Sequence, residues 1–316
     1  MTLIQHSPLR TLIAGVLALL VFSSAVGWIL DRRVSSASAR STVDNINARI
    51  RAWWVMAGLV LIALTAGTVV SILLFALTSF LALREFVTLA PTKPGDHRTL
   101  FWSFFVVTPL QYYLIWMQWY GLFSILIPVY VSIFLAIRTT LAGDTDRFLE
   151  RTATNQWALM ICVYFVSYVP ALLMLRIPGY EGQAPTLLFF LVLVVQLSDV
   201  LQYVWGKALG ARRIAPSISP NKTWEGFVGG AVSATLLGTA VWWATPFSPL
   251  AAALMALVLT TMGFAGGLIM SAIKRDRGVK DYGTLIRGHG GVLDRIDSLC
   301  FAAPVFFHLT RYFYMP

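Results

Sequence analysis

An aspartate lies inside an apolar stretch in the second half of the chain. Asp199 directly follows the run Leu-Val-Val-Gln-Leu-Ser at residues 193–198. A carboxylate in the hydrocarbon core of a membrane is costly unless it is paired, bound to a metal ion or facing water. Asp199 is therefore a candidate for metal or substrate binding. The alternative is a structural role, as a partner for Gln202 or for an arginine of a loop.

Hydroxyl and basic side chains stand together in the segment Ser-Ile-Ser-Pro-Asn-Lys-Thr-Trp-Glu-Gly at residues 217–226. The hydroxyl groups and Lys222 can donate hydrogen bonds to phosphate oxygens, just before the predicted N-terminus of a helix, where phosphate is favoured. Asn221 could equally be a plain N-cap of that helix, with no ligand at all. Both interpretations are open at this point.

The most highly charged segment covers residues 271–297, with six basic and four acidic residues. Asp294 and Asp297 are spaced i, i+3 and would share one face of a helix. Carboxylate oxygens on one face, with Asp281 nearby, suit a hard cation such as Mg²⁺. Lys and Arg side chains beside them would balance the charge of phosphate groups. Acids for a metal and bases for phosphates are the components of a nucleotidyl-transfer site.

These candidate residues belong to a very hydrophobic chain of 316 residues. Hydrophobic residues make up 58% and charged residues 12% of it, and the mean hydropathy is +0.73. Soluble domains contain about 45–50% apolar and about 25% charged residues. The composition excludes an ordinary soluble domain and indicates a polytopic membrane protein. Cys162 and Cys300 lie in apolar runs, which excludes a disulfide framework and a cysteine-based zinc site.

Ten stretches are candidates for membrane-spanning helices, because about 20 apolar residues cross a hydrocarbon core of about 30 Å. The run 53–84 is long for one helix and short for two, and the expected break is at Gly67 and Thr68. One tilted helix over this run would give nine spans instead. The ten stretches lie near residues 11–30, 53–67, 68–84, 101–117, 120–137, 156–175, 185–206, 226–244, 249–273 and 297–314.

The basic residues predict how the helices face. Ten spans place the main basic stretches on one side, which the positive-inside rule identifies as cytoplasmic. The net charge of +10 is thus mostly a topology signal, and we expect no nucleic-acid partner. Of the 24 Lys and Arg residues, 21 lie in the stretches 31–52, 84–99, 138–154, 207–223 and 274–296.

The first apolar stretch has features of both a signal peptide and a membrane anchor. Residues 37–39, Ala-Ser-Ala, resemble a cleavage site, but the apolar run is about 20 residues long and is followed by Asp31, Arg32 and Arg33. We interpret it as a retained anchor, followed by a cytoplasmic linker.

The candidate segments together resemble the signature of the phosphatidate cytidylyltransferases, or CDP-diacylglycerol synthases. Residues 271–297 are similar to the family pattern Ser-x-x-Lys-Arg, Lys-Asp, His-Gly-Gly and Asp-Arg-x-Asp. Residues 219–226 resemble its Ser-Pro-x-Lys-Thr-Trp-Glu-Gly block, and Asp199 resembles its membrane aspartate. The likeness is dense over residues 195–300. The first 180 residues match only as a hydrophobic, multi-span half, so we identify the chain as a divergent member.

The resemblance implies transfer of CMP from CTP to phosphatidate, which gives CDP-diacylglycerol and pyrophosphate. It implies an all-helical fold, Mg²⁺ with room for a second cation, and an active site at the cytoplasmic face of the bacterial inner membrane. CTP, phosphatidate and membrane lipid are the implied partners, and a homodimer is compatible with the family. We divide the chain into an N-terminal anchor and linker (1–52), an N-terminal transmembrane half (53–180) and a C-terminal catalytic transmembrane half (181–316).

The resemblance also implies roles for individual residues. His289 stands between glycines, where a positioning role is expected, and Asp199 would hold a second cation or orient Lys222. The catalytic candidates are Lys274, Arg275, Lys280, His289 and Arg295, the substrate-binding candidates are Ser219, Lys222, Thr223, Glu225 and Ser271, and the metal candidates are Asp281, Asp294, Asp297 and Asp199.

Three features depart from the family pattern. Gly267 and Met270 stand where the family's Gly-Asp-Leu-x-Glu-Ser run has its Asp and Glu. Residues 200–202, Val-Leu-Gln, replace small residues after the membrane aspartate, and Arg287 replaces a proline. These departures leave open a catalytically weakened relative and a CTP-dependent transferase that acts on another lipid phosphate. A transporter is a further alternative, but it would predict inverted repeats and more buried charges, and the sequence has neither.

Overall fold

A bundle of α-helices makes up almost all of the structure, a computed structural model that describes residues 7–33, 37–283 and 290–315. The helices are α1 (Ser7–Arg33), α2 (Ala37–Ala66), α3 (Thr68–Thr88), α4 (His97–Trp102), α5 (Thr108–Trp116), α6 (Tyr120–Ile125), α7 (Ser132–Thr140), α8 (Phe148–Leu159), α9 (Val166–Ala171), α10 (Ala184–Leu209), α11 (Trp224–Ala240), α12 (Pro249–Asp276) and α13 (Leu293–Tyr314). A small antiparallel hairpin of β1 (Arg213–Ala215) and β2 (Ser219–Thr223) joins α10 to α11. Single 3₁₀ turns lie at Pro94–Asp96, Leu172–Met174 and Trp242–Ala244.

Wider, π-helical turns join three pairs of these helices into longer helical segments. They lie at Ser103–Val107 between α4 and α5, at Leu126–Val131 between α6 and α7, and at Met160–Phe165 between α8 and α9. With these joins, every stretch predicted to span the membrane lies largely within a helical segment, and the expected all-α polytopic class is confirmed. By length and composition, six helices of the described residues could cross a membrane.

The break expected after the second predicted span lies at Gly67. Its φ of +112° is a backbone conformation that favours glycine, and it separates the end of α2 at Ala66 from the start of α3 at Thr68. The Ser71 hydroxyl donates to the Ala63 carbonyl across this break at 3.0 Å. The linker of residues 31–52 is itself helical where it is described, because it contains neither glycine nor proline to interrupt α2.

The β-hairpin was not expected, and it changes the assignment of the helix cap. α11 begins at Trp224, and the Thr223 hydroxyl accepts the Gly226 amide at 3.2 Å as its N-cap. The alternative of an Asn221 N-cap was therefore wrong. Asn221 lies within β2, two residues before the cap position.

Contacts between loops place four of the five basic stretches at one end of the bundle, here called the polar end. Lys93 pairs with Asp144 at 3.4 Å, and Arg277 pairs with Glu150 at 3.6 Å. The Arg275 guanidinium donates to the Ile218 carbonyl at 3.2 Å. These contacts join the stretches 84–99, 138–154, 207–223 and 274–296, as the charge pattern predicts.

A buried ion pair fixes the polar end of the N-terminal half. Both side chains of Arg151 and Asp96 are 1% exposed, and the guanidinium donates to the two carboxylate oxygens at 2.8 and 2.9 Å. Arg151 also donates to the Asp146 carbonyl at 2.7 Å and pairs with Asp144 at 3.0 Å. In the sequence, Asp96 and Arg151 lie in two separate basic stretches, and nothing in their spacing indicates the pair. The pair connects the start of α4 to α8.

Loss of one partner of this pair is expected to destabilise the fold. Arg151→Met leaves the Asp96 carboxylate buried without its guanidinium, which lowers the free energy of unfolding by about 3–5 kcal/mol. Arg147→Met is the matched control, because Arg147 and Glu150 form an exposed pair that contributes little to stability. Unfolding of both variants in detergent micelles measures the difference, and equal losses would contradict the prediction.

Candidate active site

The predicted site residues converge on the polar end of the C-terminal half. The ends of α10 and α12, the β-hairpin and the start of α13 meet there, since α10, α12 and α13 pack against one another and β2 contacts α10 and α12. Lys274 lies in the last turn of α12 and Asp294 in the first turn of α13. The ends of three helices and the β-hairpin thus bring together residues that are distant in sequence.

Asp294 is held on both of its oxygens. Its Oδ1 accepts the Lys274 ammonium at 2.8 Å, and its side chain is 3% exposed. Its Oδ2 accepts the backbone amides of Tyr282 and Gly291 at 2.8 and 2.9 Å. The carboxylate therefore ties α12, the residues after it and the start of α13 into one unit.

Asp199, Asp297 and Lys222 form a second group of charges, here called the inner charge group. The two carboxylates lie close enough to interact electrostatically, and Lys222 interacts with both. Asp297 Oδ1 accepts the Ser298 amide at 2.8 Å, and Lys222 Nζ donates to the Phe264 carbonyl at 3.4 Å. Burial lowers the pKa of the Lys222 ammonium, while the two carboxylates act in the opposite direction.

Electrostatic interactions also connect the inner charge group to its neighbours. Arg295 interacts with Asp199, and Lys274 interacts with Asp297. Asp294 likewise interacts with Asp297, as expected for two residues on one helical face. The arrangement combines carboxylates with three basic side chains, which is the balance of charge that a site for phosphate groups and a cation requires.

Several other predicted residues have local structural contacts. The Thr223 hydroxyl caps α11, and the Ser271 hydroxyl donates to the Gly267 carbonyl at 2.7 Å. Glu225 accepts the backbone amides of Ala211 and Arg212 at 3.0 and 3.1 Å. These contacts stabilise the hairpin and the helices that lie next to the inner charge group.

The remaining predicted residues lie at the edge of the site or outside the described residues. Ser219 pairs with Ala215 in the hairpin, and Arg275, Lys280 and Asp281 are exposed. His289 and Arg287 lie outside the described ranges. Among residues 7–33, 37–283 and 290–315, no three Asp, Glu, His or Cys side chains are grouped as a metal site.

Glu85 is a residue of this site that sequence analysis missed. It lies near the end of α3, and its two carboxylate oxygens accept the amides of Val292 and Leu293 at 2.9 Å each. Glu85 thereby pairs two of the otherwise unpaired amides at the start of α13. Gly283 and Gly291 make room for it, because a Cβ at either position would overlap the carboxylate. The N-terminal half thus positions the helix that contains Asp294 and Asp297.

Comparison with known proteins identifies the family. The model of the cytidylyltransferase family matches residues 47–313. The chain belongs to the cytidylyltransferase family. The expectation from the sequence motifs is confirmed.

Individual relatives differ in how much of the chain they match. An uncharacterised protein of Escherichia coli strain K12, YnbB, is 37% identical over 95% of this chain and 97% of its own. The phosphatidate cytidylyltransferase of Bacillus subtilis is 34% identical over 61% of this chain and 70% of its own. That of Brucella abortus is 38% identical over 48% of this chain and 57% of its own. Similarity over nearly the whole length of one relative, and over only part of the others, is what we expect of a divergent family member. The chain is a membrane-embedded nucleotidyltransferase of this family.

Gly267 replaces an aspartate of the family pattern, and the structure shows what lies in its place. A Cβ at position 267 would lie 2.7 Å from Lys222 Nζ, so the ammonium group lies beside the backbone of α12. The neighbouring Gly266 faces Phe301 instead, with a Cβ position 2.7 Å from that ring. Gly266 therefore allows close packing against Phe301, whereas Gly267 makes room for a basic side chain.

Met270 replaces a glutamate of the cytidylyltransferase pattern at a fully buried position. The Tyr282 hydroxyl donates to the Met270 carbonyl at 3.1 Å and lies 3.9 Å from its sulfur. A thioether fits this apolar position, where an ionised glutamate would be costly unless it were paired.

Removal of the Glu85 carboxylate is expected to loosen the start of α13. Glu85→Ala leaves the amides of Val292 and Leu293 without acceptors, which costs about 1–3 kcal/mol. Hydrogen–deuterium exchange of the peptide that begins at Gly290 should show faster exchange at these amides. Glu150→Ala at the same end is the control and should leave this peptide unchanged. Full retained protection in Glu85→Ala would refute the role of Glu85.

A side chain at position 267 is expected to displace Lys222. Gly267→Ala places a methyl group where the ammonium lies, so nucleotidyl transfer should slow by about tenfold to a hundredfold as the cation is misplaced. Gly263→Ala is the matched control, because the nearest atom to a Cβ there is 3.5 Å away, an ordinary contact. Steady-state rates of both variants test this, and an unchanged rate in Gly267→Ala would show that the position of Lys222 is unimportant.

Proposed function

We propose that the protein transfers CMP from CTP to phosphatidate, giving CDP-diacylglycerol and pyrophosphate. The observation that carries this proposal is the inner charge group, in which Lys222 interacts with both Asp199 and Asp297 beside the Lys274–Asp294 pair. Such a site at the ends of apolar helices suits a water-soluble anion and a lipid phosphate together. Relatives named phosphatidate cytidylyltransferase support the same reaction.

The reaction needs little covalent chemistry from the protein. A phosphate oxygen of phosphatidate attacks the α-phosphorus of CTP, a new phosphorus–oxygen bond forms, and the bond to pyrophosphate breaks. Because both reactants are anions, the barrier is mainly electrostatic and positional. Lys222, Lys274 and Arg295 would hold the phosphate groups against each other, with Arg275 and Lys280 at the exposed edge.

Carboxylate oxygens are suitable ligands for the Mg²⁺ that the family resemblance implies. Asp199 and Asp297 fit a cation best among the four predicted metal residues, because neither has an ion pair within 4.0 Å among the described side chains. Asp294 already accepts three hydrogen bonds, and Asp281 lies at the exposed edge. When bound, the cation would neutralise charge on the reacting phosphates. The assignment of all four as metal ligands stays a prediction.

We further propose that the polar end faces the cytoplasm from a bacterial inner membrane. The clustering of four basic stretches at this end supports this orientation under the positive-inside rule. It gives CTP direct access to the site. A homodimer stays a prediction.

One alternative has a structural observation in its favour. Gly267 removes the carboxylate that the family pattern has beside Lys222, which lowers the negative charge available to a cation. A catalytically weakened relative is therefore the second candidate function. A transferase that acts on another lipid phosphate would use the same charges and differ only in its acceptor.

The deciding experiment is an assay of the purified protein in detergent with CTP and phosphatidate, with and without Mg²⁺. We expect metal-dependent CDP-diacylglycerol. Asp297→Asn should lower the rate by about a hundredfold or more, since it removes a negative charge from the site. Asp276→Asn is the control, because that carboxylate is 71% exposed and lies at the same end. CTP binding without product would favour the weakened relative or another lipid acceptor, which a panel of lipid phosphates separates.

A further inference from the structure

An apolar crevice runs into the bundle beside the candidate active site. It has a volume of about 350 Å³ and lies between the α1–α2–α3 group and helices α10 and α13. Phe189, Leu193, Leu61, Leu74 and Leu299 are among its lining residues. Its volume is within the range of small-molecule sites, about 300–1,000 Å³. This crevice is separate from the inner charge group but adjoins it.

The charged and amide side chains of the crevice lie toward one end. Arg295, Val292 and Gln196 line the end nearest the active site, and Arg295 also interacts electrostatically with Asp199 of the inner charge group. Deeper in, the Thr78 hydroxyl is satisfied by the Leu74 carbonyl of its own helix at 2.8 Å. The end of the crevice next to the phosphate site, here called its mouth, is therefore basic. The interior is apolar, and its Thr78 hydroxyl already has a hydrogen-bond partner.

The depth of the crevice matches one leaflet of a bilayer. Its lining runs along α10 from Phe189 to Leu197, a rise of about 12 Å. One leaflet contributes about 15 Å, half of a hydrocarbon core of about 30 Å. An apolar slot of this depth with a basic mouth fits an extended hydrocarbon chain attached to an anionic head group.

One wall of the crevice comes from a helix outside the residues that the family model matches. α1 ends at Arg33, whereas the match begins at residue 47. Val16, Leu19 and Leu20 of α1 line the crevice, at the i, i+3, i+4 spacing that puts them on one helical face. Leu20 is 7% exposed, whereas the adjacent Val21 is 58% exposed on another face.

We propose that this crevice binds one acyl chain of the lipid phosphate substrate and that α1 determines which chains fit. The inference rests on the proposed function, because it takes the acceptor to be a lipid phosphate whose head group lies at the inner charge group. The chain lies along α10 and α13, with α1 as the wall that limits its width.

A single substitution in the α1 wall tests this assignment without touching the charged site. Val16→Trp fills the crevice, and Val21→Trp is the matched control on the outer face of the same helix. We expect Val16→Trp to raise the KM for long-chain phosphatidate by about tenfold or more. The KM for CTP and the rate with a dihexanoyl phosphatidate should stay unchanged. Equal effects on short-chain and long-chain lipid, or no effect on either, would overturn the proposal.

A second measurement does not depend on catalysis. Phosphatidate with a diazirine near the end of one acyl chain should label Phe189 or Leu299, which are 6% and 5% exposed and so shielded from bulk lipid. Val16→Trp should abolish this labelling and Val21→Trp should retain it. Ala57→Leu, in the α2 wall, repeats the test if Val16→Trp does not fold. Labelling confined to outward residues such as Val21 would refute the crevice as the chain site.

The two measurements separate this inference from the proposed function. Labelling of Phe189 or Leu299 without any CTP-dependent product would retain the acyl-chain site and refute the transferase activity on phosphatidate. Product formation together with labelling confined to outward residues would support the proposed activity and refute the acyl-chain site.

Discussion

The start of α13 depends on two carboxylates from distant parts of the chain. Glu85 in α3 accepts the amides of Val292 and Leu293, and Asp294 accepts those of Tyr282 and Gly291 together with the Lys274 ammonium. At a membrane-embedded helix end, unpaired amides are costly. Because Asp297 lies less than one turn further along α13, its position beside Asp199 and Lys222 follows from these contacts. The N-terminal half is therefore part of the active-site framework, although the predicted site residues lie outside it.

The sequence predicts the inner charge group better than it predicts the residues that support it. Asp199 is visible because a carboxylate in an apolar run is rare, and the charge-rich segment 271–297 contrasts with the rest of the chain. Glu85 and Asp96 are the two acids of the basic stretch 84–99, where a solvated loop is the ordinary explanation. Their partners, at residues 292–293 and at Arg151, are fixed only by tertiary packing. No local spacing reveals such contacts.

Spacing also predicts which residues share a face without predicting their partners. The i, i+3 relation correctly places Asp294 and Asp297 together on α13. It does not show that Asp294 accepts two loop amides and a lysine, while Asp297 interacts electrostatically with Lys274, Lys222 and Asp199. In the same way, a run of hydroxyl, proline and lysine residues at 217–223 indicates phosphate chemistry. This run does not predict the β-hairpin that places Lys222 in the inner charge group. The register of the hairpin depends on contacts of β2 with α10 and α12.

The departures of this chain from its family are the loss of one carboxylate beside Lys222 and changes in the residues around the charged site. Gly267 and Met270 change the wall behind Lys222, and α1 adds a wall to the apolar crevice beside Arg295. Removal of a carboxylate beside a lysine leaves that lysine more available to a phosphate and reduces the charge that holds a cation, so the two effects oppose each other. Asp199, Asp294 and Asp297 match the acidic positions of the family pattern. A divergence of this kind alters how tightly a head group and its chain are held more readily than it alters the type of reaction.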